Sequence, residues 1–166
     1  MSGTVYLICG KICAGKTTYA HMLAAGKRAV VLSTDEITLA IFGQHLGEKH
    51  DEVVAKVQNY LLEKSLEILK TDINVILDWG FWTREKRDSI RDYYASHGVQ
   101  AEFHYIDVSC DTWKDNIAKR NSEVLEGNTS AYYVDSNLAD KFARIFEEPA
   151  RSEIDVWLSD FAASEQ

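Results

Sequence analysis

The sequence predicts an α/β fold: one domain with a parallel β-sheet and helices on both faces. Three observations predict it. Strand-like and helix-like segments alternate along the chain, the order of βαβ units. The segment INVILD at 73–78 is a near-continuous apolar run, as in a strand buried on both sides. A glycine-bearing stretch, GKICAGKT at 10–17, joins the apolar TVYLIC (4–9) to the helix-like TYAHMLAA that follows it.

The elements follow in order. TVYLIC is the first strand, and a helix begins at 16–25. RAVVLS (28–33) reads as the second strand, and a short helix follows from Asp35 to about Gln44. Residues 53–70 place Val53, Val54, Val57, Tyr60, Leu61, Ile68 and Leu69 at helical spacing with one apolar face. INVILD is the third strand, 84–96 a charged helix, and 99–108 the fourth strand. Helices are expected at 111–120 and 135–147. IDVWL (154–158) suits a last strand or part of a final helix, and its periodicity does not separate the two.

A chain of 166 residues suits a single core, and with one proline and no low-complexity stretch there is no linker or repeat. The formal net charge of −8 argues against long nucleic acid as the main partner, since such proteins carry a basic surface. No run approaches the apolar length of a membrane span. The opening residues, MSGTVYLICGK, lack the basic region of a signal peptide. Cys9, Cys13 and Cys110 form no framework spacing, so reduced thiols in a cytoplasm are expected.

GKICAGKT matches G-x-x-x-x-G-K-[ST], with Gly10, Gly15, Lys16 and Thr17 at the fixed places. The spacing has a chemical purpose. Glycines let the backbone approach a ligand closely. Successive N–H groups then cradle anionic oxygens, and the helix that starts near Lys16 adds its positive dipole end. Gly10, Cys13, Ala14, Gly15, Lys16, Thr17 and Thr18 are the expected contacts of a nucleoside triphosphate. Lys16 reaches the β- and γ-phosphates, and the Thr17 hydroxyl ligates Mg²⁺. Lys11 suits either a solvated side chain or a phosphate contact. Cys13 suits either a small residue that fits or, near a helix N-terminus, an oxidisable thiol.

Two carboxylates lie at predicted strand ends, where open α/β sheets bind ligands. Asp78 ends an apolar strand and can hold Mg²⁺ directly or through water; a cap or turn role is the alternative. Asp35 follows the second strand. It can accept the proton of an attacking hydroxyl, or Ser33, Thr34 or Asp35 can simply cap the next helix. Glu36 is a weaker candidate for the same task. Trp79, Phe81 and Trp82 suit core packing better than stacking on a ligand. Arg84, Arg87 and Arg91 share a helical face. A solvated face paired with Asp88 or Glu85 is expected, with Arg84 the best placed to meet an acidic acceptor. The five histidines show no ligand spacing.

GKICAGKT, STDEI (33–37), ILDWGFWTREKR (76–87) and AKRN (118–121) together resemble the small P-loop kinases related to polynucleotide kinase, chloramphenicol phosphotransferase and zeta toxin, often labelled AAA-type ATP-binding proteins. The resemblance spans about residues 4 to 149. It implies a three-layer P-loop fold with a five-stranded parallel sheet of adenylate-kinase type, order 2-3-1-4-5, within a single domain over 1–166. It implies ATP and Mg²⁺. Asp35 matches the family's catalytic aspartate. Arg120 matches the arginine at the root of a mobile lid, here about 118–137, and would stabilise charge on the transferred group; Lys119 is a less apt substitute, and a solvated helix end is the alternative. Two departures matter. No arginine follows Asp35 closely, which weakens a nucleic-acid 5′-end substrate, and zeta-toxin relatives are longer. The expected activity is transfer of the ATP γ-phosphoryl group to a hydroxyl of a small molecule. The alternatives are a polynucleotide 5′-hydroxyl kinase and a regulatory ATPase without an acceptor.

Overall fold

The computed structural model describes residues 3–44, 47–129, 131–159 and 161. The elements run β1 (Thr4–Cys9), α1 (Lys16–Lys27), β2 (Ala29–Ser33), α2 (Thr34–Phe42), α3 (His50–Leu69), β3 (Asn74–Gly80), α4 (Arg84–Ser96), β4 (Gln100–Asp107), α5 (Cys110–Leu125), α6 (Ser136–Ile145) and β5 (Val156–Ser159). The five strands form one sheet in the order β2-β3-β1-β4-β5, and every pairing is parallel.

The alternation of side chains along β1 divides the core in two. Val5, Leu7 and Cys9 pack with Val75, Leu77, Phe103 and Tyr105 beneath Leu69 of α3 and Ile90 and Tyr94 of α4. Tyr6 and Ile8 face the other way, with Ile76 and Ile106, against Ala20 of α1 and Trp113 of α5. Helices therefore cover both faces, which is why the strands read as apolar runs rather than alternating ones.

IDVWL resolves as a strand. Two polar anchors set it beside β4: the Asp155 carboxylate accepts from Phe103 N–H at 2.7 Å, and Trp157 Nε1 donates to the Asp107 carboxylate at 3.2 Å. The approach to β5 is fixed by a buried ion pair. Arg87 Nε donates to Glu153 Oε2 at 2.7 Å, and Arg87 Nη1 also donates to Phe81 O and Glu147 O. Arg91 Nη2 donates to Glu153 O, and its guanidinium lies over the Phe103 ring. The expected solvated arginine face is thus corrected. Arg87 is 1% exposed and Arg91 half-buried, and only Arg84 of the three is exposed, 3.6 Å from Asp88. The cause is tertiary: the chain segment from Glu147 to Glu153 closes over α4 and supplies carboxylate and carbonyl acceptors.

Parallel pairing gathers the strand C-termini at one edge. Ser33 is the register partner of Asp78, and Gly10 N–H donates to Gly80 O at 3.2 Å. The ends of β1, β2 and β3 therefore meet there. No helix among the described residues is long and apolar enough to cross a membrane.

Candidate active site

The loop between β1 and α1 is shaped around its glycines. Gly15 is the N-cap of α1 at φ 92°, ψ 15°, a left-handed conformation that disfavours side chains. A Cβ on Gly10 would stand 3.0 Å from Ile106 O, so the loop passes too close to β4 for a larger residue. Among the described residues no side chain caps α1, and its first turn carries no acidic residue. The first turns of α2, α3, α4 and α5 all do. The amides at the start of α1 are thereby left for an anion, with the helix dipole behind them.

Lys16 folds back, its Nζ donating to Lys11 O at 2.6 Å. Burial lowers its pKa, opposed by the nearby carboxylates of Asp78 and Asp35. The Thr17 hydroxyl donates to Asp78 Oδ2 at 2.6 Å, so the two expected metal ligands of the sequence are neighbours. Asp78 is buried at the end of β3, while Thr17 and Thr18 are exposed. Ala14 is buried, its N–H donating to Lys11 O.

Asp35 sits in the first turn of α2. The cap is Ser33, whose Oγ accepts from Glu36 N–H at 3.4 Å, so the Asp35 carboxylate is not consumed as a cap. Asp35 is exposed on that turn. Desolvation by the surrounding protein, then the like charge of Asp78, raises its pKa, and Lys16, Arg120 and His50 partly oppose the rise. Glu36 is exposed on the same turn.

Arg120 projects from α5, which includes 118–125 of the expected lid. Its Nη1 donates to Cys13 Sγ at 3.4 Å, and its Nε is buried with no hydrogen-bond partner among the described residues. Lys119 is exposed. Lys11 is half-buried. Its Nζ lies between the rings of Trp113 and Phe146, at 5.8 and 6.0 Å from their centroids. Phe81 is core, and Trp79 anchors its Nε1 on Leu32 O. Trp82 packs on Phe142.

The segment after α5 lies over α2. Thr38, fully buried, shares a 3.0 Å hydrogen bond with the Tyr132 hydroxyl. Gln44 Nε2 donates to Ala131 O, and His50 meets the Tyr132 ring edge-on. Asn121 brackets Val134 with two bonds to its backbone. Position 130 of the expected lid lies outside the described residues, as does His45. Sequence reasoning missed Asn116, Tyr132, Thr38, Asn121 and His50. Trp113, Asn116 and Arg120 did carry a signal: their i, i+3, i+7 spacing marks one face of a helix.

A bound group can be tested against these donors. The described residues hold no cluster of three or more His, Cys, Asp or Glu side chains that could cage a metal. One hydroxyl and one carboxylate beside an anion cradle are the protein share that Mg²⁺ takes when phosphates and water complete its shell. The orphaned Arg120 Nε and the uncapped α1 also suit anionic oxygen. The residues present fit a Mg²⁺-nucleotide.

Sheet order, loop and carboxyl-edge cluster together define the architecture of a small P-loop kinase. The chain belongs to the AAA domain family, whose sequence model matches residues 5–149. No curated protein sequence matches it significantly. Among solved structures it resembles a sugar kinase from Janibacter sp. HTCC2649, with TM-score 0.64 and 18% identity over 95% of this chain and 85% of that one. It resembles the Mycobacterium tuberculosis APS kinase CysC, solved with AMPPNP and APS, at TM-score 0.62 and 17% identity over 98% and 91%. A chain of the Pnkp1/Rnl/Hen1 RNA repair complex gives TM-score 0.70 and 17% identity, over 86% of this chain and 43% of that one.

Proposed function

We propose that the protein is an ATP-dependent phosphotransferase that moves the γ-phosphoryl group to a hydroxyl of a small molecule. One observation carries the reading: Asp35, uncommitted to capping, stands in the same electrostatic cluster as Lys16, Asp78 and Arg120. A machine that only bound nucleotide would need no second carboxylate beside Asp78.

In this reading the amides of Gly10 to Thr18, Cys13 and Ala14 included, cradle the phosphates, and Lys16 leaves Lys11 O for the β- and γ-oxygens. Thr17 and Asp78 would hold Mg²⁺, which would neutralise phosphate charge when bound. Asp35 accepts the acceptor's hydroxyl proton and aims its oxygen in line with the γ-phosphorus. The new P–O bond forms as the bond to the β-phosphate oxygen breaks, and ADP leaves. Arg120 neutralises charge on the group in transit. The lid at about 118–137 closes to exclude water. Unpaired Cys9, Cys13 and Cys110 support a cytoplasmic setting.

The likeness to the RNA repair chain favours a second reading, phosphorylation of a nucleic-acid 5′-hydroxyl. The net charge of −8 and the lack of an arginine on α2 oppose it. The test is transfer from γ-labelled ATP·Mg²⁺ to pools of sugars, nucleosides, aminoglycosides, chloramphenicol-like alcohols and 5′-hydroxyl oligonucleotides. Label in one small-molecule pool, lost in Lys16→Ala and Asp35→Asn, is expected. Label in the oligonucleotides transfers the reading to end repair. Binding of ATP with no transfer to any pool leaves the regulatory ATPase.

A further inference from the structure

One face of α5 is fastened to the phosphate loop at three points. Trp113 Nε1 donates to Ile12 O at 2.7 Å, Asn116 Nδ2 to Cys13 O at 2.9 Å, and Arg120 Nη1 to Cys13 Sγ at 3.4 Å. Two of the three end on Cys13. That residue stands at φ 58°, in the left-handed region where a side chain is disfavoured and glycine is at ease. Glycine would relieve the backbone but give Arg120 nothing to hold. The strained residue keeps a sulfur where it meets the guanidinium. The opposite need is also visible. Arg120 Nε is buried without an acceptor among the described residues, and an anionic phosphate oxygen is the group its planar fork suits.

We propose that Cys13 is a positioning residue: its sulfur and its Asn116-bound carbonyl seat Arg120 on the phosphate loop, so that the unpaired edge of the guanidinium meets the phosphoryl group in transit. This rests on the role given to Arg120 under Proposed function. It adds that the loop itself sets the arginine, through a side chain that the loop motif leaves unspecified. Misplacing such a group by about 1 Å costs up to roughly a hundredfold in transition-state binding.

The test uses the full chain with Mg²⁺ and two probes, ADP and ADP with aluminium fluoride, which mimics the transferring phosphoryl group. The quantity read is the ratio of the two affinities, so that losses common to both cancel. Cys13→Gly, which suits the backbone, is expected to lower the ratio roughly ten- to a hundredfold. Arg120→Ala lowers it comparably, and the double variant lowers it no further than the larger single effect. Cys13→Ser, whose hydroxyl also accepts from guanidinium, retains most of it. Circular dichroism confirms that each variant is folded. A Cys13→Gly ratio equal to that of the wild type, or losses that multiply in the double variant, overturns the proposal while leaving the phosphotransfer reading intact. A wild type with no preference for the aluminium fluoride complex overturns both.

Discussion

Two regions of this molecule gather charged side chains, and they treat them oppositely. Around α4, Arg87 donates to the Glu153 carboxylate and to two carbonyls, while the other Glu153 oxygen accepts from Ala150 N–H at 3.0 Å. At the carboxyl edge of the sheet, the charge of Asp78 works against ionisation of Asp35, Lys16 rests on one carbonyl, and Arg120 keeps an orphan donor. Buried ions that are fully partnered belong to the fold, because leaving one unpaired is costly. Ions gathered but left underpartnered have their remaining partners in a ligand. Partnering thus separates structural charge from candidate functional charge with no reference to motif.

The largest expected effect tests the underpartnered side. Asp35→Asn should lower phosphoryl transfer by about 10²- to 10⁴-fold, the usual contribution of a general base. Its thermal midpoint should stay the same or rise. Because the folded pKa of Asp35 is raised, its ionised form works against the fold once the pH exceeds the ordinary aspartate range. A variant that loses both activity and stability would assign Asp35 to the fold instead.

The partnered side should respond in the reverse sense. Arg87→Ala or Glu153→Ala should cost about 3–5 kcal/mol, read as a fall in the urea midpoint. Replacing both by apolar residues of similar volume, as in Arg87→Met with Glu153→Leu, should recover much of it. Equal losses in single and double variants would show that the pair is not the unit.

The two carboxylates also shift in opposite directions with pH. Burial pushes Glu153 up, but hydrogen bonds from Arg87 and Ala150 N–H and the Arg87 charge outweigh it and hold the group below its ordinary range. Its stabilisation is therefore present above that range and is lost as pH falls through the depressed value. Transfer should fail earlier on acidification, since the raised pKa of Asp35 protonates the base at a pH where an ordinary aspartate is ionised. A pH–rate profile beside a pH series of urea midpoints checks the order: activity goes first, stability later.

The smallest effect concerns the tie between α2 and the segment over it. Tyr132→Phe removes the hydroxyl bonded to Thr38 and should cost about 0.5–1.5 kcal/mol. Faster amide exchange at 131–134, with the sheet unchanged, is the expected reading.

What each level of description determines can be traced through particular residues. The helix 84–96 is legible to the residue because Thr83 caps it from within the local sequence, accepting from Lys86 N–H. GKICAGKT is legible because its backbone torsions depend on glycine at fixed places. The acidic ends of β2 and β3 are legible because parallel strands bring their C-termini to one edge. IDVWL was undecidable, since its strand state depends on Phe103 and Asp107, about fifty residues away. Arg87 and Arg91 read as solvated in the sequence because their partners arrive from 147–153. The hold of α5 on Cys13 was also hidden, since it joins positions more than a hundred apart in sequence. The α/β class, the phosphate loop and its neighbouring carboxylates are all written in short-range pattern. Which charges are partnered and which are left for a ligand depends instead on acceptors that long-range packing brings together.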